Sequence, residues 1–218
     1  MKKIEEKLIS EIKQEFSTIE SMDDLLILLN NVNKILCEDS CDQFSIQQLN
    51  FYANPLICKN RYKTFSILKK SGGIRQINTP TEKLKTILHV FNFILQCCYI
   101  PHNAAHGFVQ KKSIVSNAKI HVGNNYVYNI DLKDFFHSFD RNRVKLALMH
   151  PPFNLNDKRE SIAFLLSCLF THPLEIEGKL KTVLPQGSPT SPNLTNILCQ
   201  TLDRRLNGFA KKIGAKYS

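Results

Sequence analysis

The sequence predicts an α/β fold of the α+β kind, in which helices and small antiparallel sheets occupy different stretches of the chain. Long runs of apolar residues recur at helical spacing, and two pairs of short apolar runs flank glycine-containing turns. A further apolar run in the middle of the chain ends on an acidic residue. With 218 residues and 43% hydrophobic content, the chain can bury a core in one or two domains.

Residues 1 to about 53 are predicted to be helical. A second helix is entered through Ser21 or Asp23, and Ser45 with Gln48 forms a capping-box pattern ahead of a third. The first helix carries apolar side chains at helical spacing, namely Ile4, Leu8, Ile12 and Phe16. This block shows no residues arranged for chemistry.

The middle of the chain is predicted to contain a β-hairpin, two helices and a strand. The hairpin covers residues 61–79 and turns at Ser71-Gly72-Gly73. A helix from about residue 83 to residue 98 follows, and a shorter helix starts at Ser113. Residues 126–130 are predicted to form a buried strand.

The last third of the chain is predicted to alternate helices with a second hairpin. Asp140 can cap a helix that ends before Pro151-Pro152, and a further helix covers residues 157–170. Glu177-Gly178 is typical of a hairpin turn, and Ser191-Pro192 begins a helix that runs to about residue 212.

The charge balance favours a polyanionic partner. The chain has 29 lysines and arginines against 19 acidic residues, which gives a formal net charge of +10. Nucleic acid is such a partner, because each phosphate contact releases counterions. A basic protein that is merely soluble has the same composition, so charge alone does not decide the function.

The cysteines and the hydropathy pattern predict a cytoplasmic protein. Seven cysteines are scattered without a C-x-x-C pattern, and most are expected to be reduced core residues. The first residues lack the apolar stretch of a signal peptide, and no segment has the roughly 18 apolar residues of a membrane helix. No membrane partner is expected.

The segment YVYNIDLKDFFHSF, residues 126–139, predicts a metal ligand. Asp131 ends the predicted strand and is followed by the aromatic pair Phe135 and Phe136. A carboxylate at a strand end can hold a divalent cation, because the strand fixes it and its exposed end admits substrate. Taken alone, such an aspartate is more often a turn former or a helix cap.

Three further segments complete a recognisable order. They are the basic hairpin KKSGGIRQINTP at residues 69–80, NAKIH at residues 117–121, and LPQGSPTSPNLTNIL at residues 184–198. Together with residues 126–139, they resemble the fingers and first half of the palm of a bacterial reverse transcriptase. The NAxxH element is similar to the retron type. The resemblance is dense from Tyr62 to Ser218 and weak before Tyr62.

The resemblance implies a two-metal site that uses Mg²⁺. Asp131 and the main-chain carbonyl of Leu132 would be metal ligands, and Asp131 the catalytic carboxylate. Phe136 would pack beneath the incoming sugar and exclude a 2′-hydroxyl, with Phe135 in the core. A purely structural role for both rings is the alternative.

The resemblance also implies groups that bind the nucleotide. Arg75 matches the arginine that grips the triphosphate, and Lys69 or Lys70 matches its lysine. Gln186 would lie against the sugar and base, and Gly187 would leave its amide free for the substrate. Without the resemblance, the hairpin is a solvated basic turn, and the loop is a turn before a helix.

The expected contacts to RNA lie on the loop and helix before the predicted strand. Gly107 matches a tight turn near the template. Asn117 and His121 fall on one helical face, where His121 could contact RNA or satisfy a buried carbonyl. Lys111 and Lys112 add positive charge beside them.

The implied organisation is a helical region at residues 1–60, fingers at 61–125, and a partial palm at 126–218 with a fingers insertion at about 150–185. The implied function is that of a retron-like RNA-directed DNA polymerase. It would transfer nucleotides from deoxynucleoside triphosphates to a primer on an RNA template, and a structured non-coding RNA is a further partner. Antiviral defence is one role open to such an enzyme.

The sequence departs from the family pattern at its end. The Tyr-Ala-Asp-Asp turn that supplies the remaining carboxylates follows a segment like AKYS, residues 215–218, which is expected to begin a strand. Asp23-Asp24 lies in the helical block and cannot replace it. We therefore expect a truncated or natural fragment that is inactive alone and self-associates through its exposed palm edge.

Two alternatives remain open at this stage. The first is a related reverse transcriptase from a group II intron, a diversity-generating element or a phage-defence system. The second is a non-catalytic RNA-binding module. The identity of the RNA, the primer and the oligomeric state do not follow from the sequence.

Overall fold

The computed structural model describes residues 6–37, 42–69 and 72–218, and it has the mixed helix and strand content that the sequence predicts. The helices before the middle of the chain are α1 (Glu6–Ser17), α2 (Met22–Cys37), α3 (Ile46–Ala53), α4 (Glu82–Cys98) and α5 (Ile114–His121). The later ones are α6 (Arg141–Met149), α7 (Glu160–Phe170) and α8 (Ser191–Lys212), with short 3-10 turns at Phe135–Ser138 and Asp157–Arg159. The strands are β1 (Tyr62–Leu68), β2 (Ile74–Pro80), β3 (His172–Ile176) and β4 (Lys179–Val183).

The predicted helix caps are confirmed where the chain is described. Ser21 and Asp24 exchange side-chain and backbone hydrogen bonds at the start of α2. Ser45 and Gln48 form the predicted capping box of α3, and Asp140 accepts from the backbone N–H of Arg143 at the start of α6. Ile4 lies outside the described residues.

The body of the protein is a helical core centred on α4 and α7. α4 buries Leu84, Leu88 and Phe91, because its apolar side chains recur at helical spacing, and it packs against α1 and α2 and, through the edge-to-face contact of Phe91 with Phe170, against α7. α7 buries most of its side chains between α3 and α6. A single cluster of buried side chains runs through these helices and reaches Leu194 in α8.

Both predicted hairpins are confirmed. β1 pairs antiparallel with β2 from Tyr62 opposite Pro80 to Leu68 opposite Ile74. Only the base of this hairpin is buried, and its turn end projects from the body. β3 pairs with β4 around Glu177-Gly178, which both have positive φ, of 52° and 72°.

The predicted strand at residues 126–130 is wrong. These residues form no strand, and the side chains of Tyr126 and Tyr128 are 93% and 88% exposed. A strand is stabilised by the ladder that it forms with a neighbour, and none of the described strands pairs with this segment. An apolar run can predict a strand, but it does not show which other strand would pair with it.

The predicted strand at residues 215–218 is also wrong. The chain there is irregular, and the hydroxyl of Tyr217 donates to Oδ1 of Asp203 at 2.8 Å. The Ser218 hydroxyl lies 2.6 Å from Nε2 of His121. Side-chain contacts to α5 and α8 therefore hold this end.

The expectation of reduced cysteines is confirmed at five positions, with one exception. The thiols of Cys58, Cys97, Cys98, Cys168 and Cys199 are free. Cys37 is disulfide-bonded, which is compatible with the expectation that most, not all, of the cysteines are reduced.

Within the described ranges, no helix combines the length and the apolar character needed to span a membrane.

Candidate active site

The loop at residues 184–191 joins two segments that are distant in sequence. The backbone N–H of Leu184 donates to the carbonyl of Phe139 at 3.0 Å. On the other side, the N–H of Asn78 on β2 donates to the carbonyl of Gln186 at 2.7 Å. The Ser191 hydroxyl closes the loop by donating to the carbonyl of Pro185 at 2.8 Å. The loop thus connects the aromatic segment after Asp131 to the basic hairpin.

Gly187 is required where this loop meets β2. A β-carbon at this position would lie 2.8 Å from the carbonyl oxygen of Asn78 and 2.8 Å from Cγ2 of Ile77. The φ angle of Gly187 is 121°, which side-chain-bearing residues rarely adopt. Glycine therefore permits both the backbone conformation and the close approach to the hairpin.

Arg61 anchors the base of the same hairpin. Its side chain is 1% exposed and donates to the carbonyl oxygens of Tyr52, Cys168 and Thr171. These carbonyls lie at the C-terminal ends of α3 and α7, where helical carbonyls lack partners within the helix. One buried guanidinium therefore joins two helices to the start of β1 without any carboxylate.

His172 completes this anchor as a neutral acceptor. Nε of Arg61 donates to Nδ1 of His172 at 3.3 Å, and the imidazole stacks on the Tyr62 ring at 4.4 Å. Burial, with the Arg61 cation as the second cause, lowers the pKa of His172 to about 4. The ring is therefore uncharged at neutral pH, with its proton on Nε2.

Asn78 is a residue of the candidate site that the sequence reasoning missed. It is 1% exposed, and its Oδ1 accepts a hydrogen bond from the Thr64 hydroxyl at 2.8 Å across the hairpin. Its backbone N–H holds Gln186. An asparagine inside a strand is unfavourable without a specific partner, so its place in a hairpin could have marked it.

The basic residues of the hairpin lie towards its exposed end. Arg75 is exposed on β2 opposite Ile67, three positions before Asn78. The N–H of Lys69 donates to the carbonyl of Gly73 at 3.0 Å and closes the turn. Lys70 lies outside the described residues. The structure thus places Arg75 on the strand that holds the Gln186 loop.

Phe135 and Phe136 are both half-buried against the core. Their rings meet edge to face at 5.8 Å, and Phe135 also contacts Phe139 at 5.2 Å. Phe139 is 3% exposed and carries the carbonyl that accepts from Leu184. The structure therefore gives the two half-buried rings similar surroundings and does not separate their predicted roles.

Asp131 and Leu132 lie in the irregular segment before these rings. Both are exposed, and residues 125–133 make no hydrogen bond with any other described residue. A carboxylate and a main-chain carbonyl are oxygen donors, the type that Mg²⁺ prefers. No group of three or more His, Cys, Asp or Glu side chains that could hold a metal occurs in the described ranges. These donors fit the chemistry of the ion and supply part of a ligand set.

A second cluster of predicted residues forms around α5. Nδ1 of His106 lies 3.1 Å from the Ser116 hydroxyl, and His121 contacts Ser218. Nε2 of His106 and Oδ1 of Asn117 are buried atoms without a hydrogen-bond partner. Burial is the first cause that lowers the pKa of His106, and the charges of Lys112 and His121 follow.

The basic residues beside this cluster are placed differently from one another. Nζ of Lys112 donates to the carbonyls of Asn103 and Ala105 at 2.6 and 2.9 Å, so it holds the loop before α5. Lys111 is exposed with a φ of 62°. The carbonyl of Gly107 accepts from Nδ2 of Asn196 at 3.0 Å, which ties this loop to α8.

The sequence matches one protein family over most of its length. The family described as "Reverse transcriptase (RNA-dependent DNA polymerase)" matches residues 67–217. This range includes β2, α5, residues 126–139 and the loop at residues 184–191, but not Arg61 or Ser218.

Several curated proteins are similar to the chain. The retron Mx162 reverse transcriptase of Myxococcus xanthus is 37% identical over 187 residues, which cover 80% of this chain and 37% of that protein. The retron Mx65 reverse transcriptase of the same organism is 36% identical, over 72% of this chain and 38% of that protein. The retron Ec86 reverse transcriptase of Escherichia coli is 32% identical, over 72% of this chain and 46% of that protein. The matched region is less than half the length of each of these relatives.

Proposed function

This chain belongs to the retron-type reverse transcriptases, and we propose that its 218 residues form the fingers and the first part of the palm of an RNA-directed DNA polymerase. The helical region comprises residues 1–60, the fingers 61–125, and the palm 126–218 with an insertion at about 150–185. The reaction is nucleotidyl transfer from a deoxynucleoside triphosphate to a primer on an RNA template.

The observation that carries this proposal is the double attachment of the loop at residues 184–191. Its bonds to Phe139 and Asn78 bring the segment after Asp131, the Gln186 loop and the strand of Arg75 into one connected unit. A polymerase needs a metal carboxylate, a nucleotide-contacting loop and a phosphate-binding cation on one side of the substrate. The two backbone hydrogen bonds join the loop to the strand of Arg75 and to Phe139, eight residues after Asp131.

The residues of this unit have distinct roles in the proposed reaction. Arg75 and Lys69, with Lys70, bind the triphosphate, since guanidinium and ammonium groups pair with phosphate oxygens. Gln186 and Gly187 position the sugar and base. Phe136 lies beneath the sugar and excludes a ribose hydroxyl.

Asp131 and the carbonyl of Leu132 would hold Mg²⁺. When bound, the ions activate the attacking hydroxyl and stabilise the leaving pyrophosphate. Asp131 contributes one carboxylate of the ligand set. The other carboxylates would come from an acidic turn of the Tyr-Ala-Asp-Asp type, which residues 1–218 do not contain.

The partner surfaces are proposed from exposure and charge. Gly107, Lys111, Lys112, Asn117 and His121 would face the RNA, and Lys111 is the most exposed cation among them. The exposed apolar side chains at residues 126–130 favour self-association. A cytoplasmic location is proposed from the five free thiols, against which the disulfide-bonded Cys37 is the exception.

The test replaces Asp131 in a form of the protein extended through the acidic turn and thumb. Asp131→Asn should reduce primer extension on an RNA template with Mg²⁺ and deoxynucleotides to background, because it removes a metal carboxylate. Asp134→Asn is the matched control. Asp134 lies in the same exposed segment with a φ of 50°, a conformation that asparagine tolerates. Extension by Asp131→Asn at the level of Asp134→Asn would reject the assignment.

A further inference from the structure

We infer that a cavity at the base of the β1–β2 hairpin binds one nucleotide of single-stranded RNA, with the phosphate on Lys59 and Lys83 and the base on Phe51. The cavity has a volume of about 600 Å³ and lies between the end of α3 and the start of α4. This volume is within the range of small-ligand sites. The inference rests on the proposed function, because it takes RNA as the partner.

None of the residues that line the cavity belongs to the proposed nucleotide-substrate site. It is lined by Thr81 and Lys83, which follow directly after the last residue of β2, Pro80. Arg75 lies five positions earlier on the same strand, a separation of about 17 Å at the usual rise of about 3.3 Å per residue. A ligand in the cavity would therefore contact the fingers at the end opposite to the triphosphate.

The charge of the lining favours an anion. Lys59 and Lys83 are both exposed, and neither forms an ion pair with a carboxylate in the described ranges. Glu82 also lines the cavity, so the charged side chains sum to one net positive charge. An anion would therefore be held on the side of the two lysines.

Phe51 supplies a surface for a base. Its side chain is 43% exposed at the cavity, and its ring meets the half-buried Tyr52 ring edge to face at 5.2 Å. The Tyr52 contact fixes the phenyl ring while leaving much of it open to solvent. An exposed aromatic ring beside lysines is the arrangement on which single-stranded nucleic acid stacks its bases.

Polar groups at and before the start of α4 also line the cavity. Thr81 is the N-cap residue, but its side chain makes no capping hydrogen bond, and its hydroxyl is a buried atom without a partner. The exposed amide of Asn60 is a further lining group. The exposed Asn60 amide is suited to phosphate and sugar oxygens, in addition to the lysines and the ring, whereas the buried Thr81 hydroxyl is not accessible to a ligand.

A nucleotide within RNA accounts for the combination better than phosphate or an acidic peptide. Free phosphate would leave the Phe51 ring unused. An acidic peptide would use the lysines, but it need not supply a planar ring to stack on Phe51. A nucleotide of RNA uses the cations and the ring together, and the net charge of +10 suits such a partner.

The binding experiment measures the purified chain with an end-labelled oligouridylate by fluorescence anisotropy at several salt concentrations. Lys59→Ala with Lys83→Ala should weaken binding about tenfold at low salt and flatten the salt dependence by about one phosphate contact. Phe51→Ala should weaken binding about fivefold or more with little change in that dependence. Lys34→Ala is the matched control, since Lys34 is an exposed lysine at the end of α2 that does not line the cavity.

A photocrosslinking arm identifies the occupant. A thiouridine-substituted oligouridylate should crosslink to the peptide that contains Phe51 and Tyr52. Inorganic phosphate or uridine monophosphate should compete only at concentrations far above that of the oligonucleotide.

Two results would overturn the inference while leaving the proposed function intact. One is oligouridylate binding that is equal in the cavity variants and in Lys34→Ala. The other is displacement of the oligonucleotide by an acidic peptide or by free phosphate at a comparable concentration. If the unchanged chain binds no RNA at all, the failure belongs to the proposed RNA partner.

Discussion

The loop at residues 184–191 and the segment at residues 122–134 both carry proposed site residues, but they are held in different ways. The loop is bonded to Phe139 on one side and Asn78 on the other, and Gly187 fits closely against β2. In the segment, residues 125–133 make no hydrogen bond with other described residues, and Tyr126 and Tyr128 are almost fully exposed.

The difference shows which interactions fix a functional segment. The loop needs only a few backbone groups at defined places, and β2 and the residue Phe139 supply them. The segment has no such contacts, and a strand at its apolar run, residues 126–130, would need a whole neighbouring strand for its backbone. The loop is therefore ordered by contacts within residues 72–218, and the segment is not.

The largest effect is expected where the hairpin that holds the loop is anchored. Arg61→Met should lower the free energy of unfolding by about 3–5 kcal/mol, because buried carbonyl oxygens lose their donor. Urea denaturation followed by circular dichroism measures this. Arg141→Met is the control and should cost about 1 kcal/mol or less, since Arg141 lies over the Phe164 ring at 5.5 Å without such a cage. Equal losses of unfolding free energy in the two variants would show that the buried hydrogen bonds of Arg61 add no stability beyond that of a surface arginine.

The second prediction compares Phe139, whose carbonyl holds the loop, with an aromatic residue of the segment. Phe139→Ala should cost about 3 kcal/mol or more, because the ring is 3% exposed. Tyr128→Ala should change the unfolding free energy by about 0.5 kcal/mol or less, as at other exposed positions. Thermal and urea unfolding of both variants would check this. A large loss for Tyr128→Ala would show that the segment is packed in solution.

The third prediction concerns the contact of the loop with β2. Gly187→Ala should cost about 2 kcal/mol, from its positive φ and from contacts of 2.8 Å with Asn78 and Ile77. Gly178→Ala is the matched control, because Gly178 has a φ of 72° but nothing within 4 Å of an added β-carbon. The difference between the two variants measures the contact itself. If the two variants lose the same unfolding free energy, the close contact between the loop and the hairpin is absent in solution.

The smallest effect is expected from the acid dependence of the anchor. The pKa of His172 is lowered to about 4 in the fold, so the unfolded chain takes up the proton first as the pH falls. Stability from this group is therefore complete above about pH 6.5 and declines towards pH 4, by about 1–2 kcal/mol for a partly exposed ring. His172→Gln should flatten the pH dependence of the unfolding free energy in that window. An unchanged slope would assign the acid sensitivity to another group.

Sequence patterns predicted the helices and hairpins because their determinants are local. The capping pairs at Ser45 and Asp140, and the turn at Glu177-Gly178, act on neighbouring residues, so short windows identify them. The strand at residues 126–130 was wrong because apolar patterning does not reveal a pairing partner.

The motifs of the site were easier to predict from the sequence than the residues that hold those motifs in place. The Gln186 loop was predicted, but the residues that hold it were not. Asn78 and Arg61 act through contacts to residues far away in the chain, for example Arg61 to Cys168 and Thr171. A polar residue with a distant backbone partner produces no periodic pattern in the sequence. The cavity beside Lys59 was not predicted for the same reason, because its lining residues come from separate parts of the chain.

The β1–β2 hairpin is buried only at its base, so a small rotation there displaces its exposed end by a larger distance. Arg75 stands about 17 Å from that base, so a tilt of about 5° there would displace it by about 1.5 Å. A misplacement of about 1 Å can cost a factor of about a hundred in rate when a group must meet a reacting phosphate. In the proposed function, the accuracy with which Arg75 meets the triphosphate would therefore depend on the rigidity of the Arg61 anchor. Substitutions at the pivot would alter catalysis without touching the substrate.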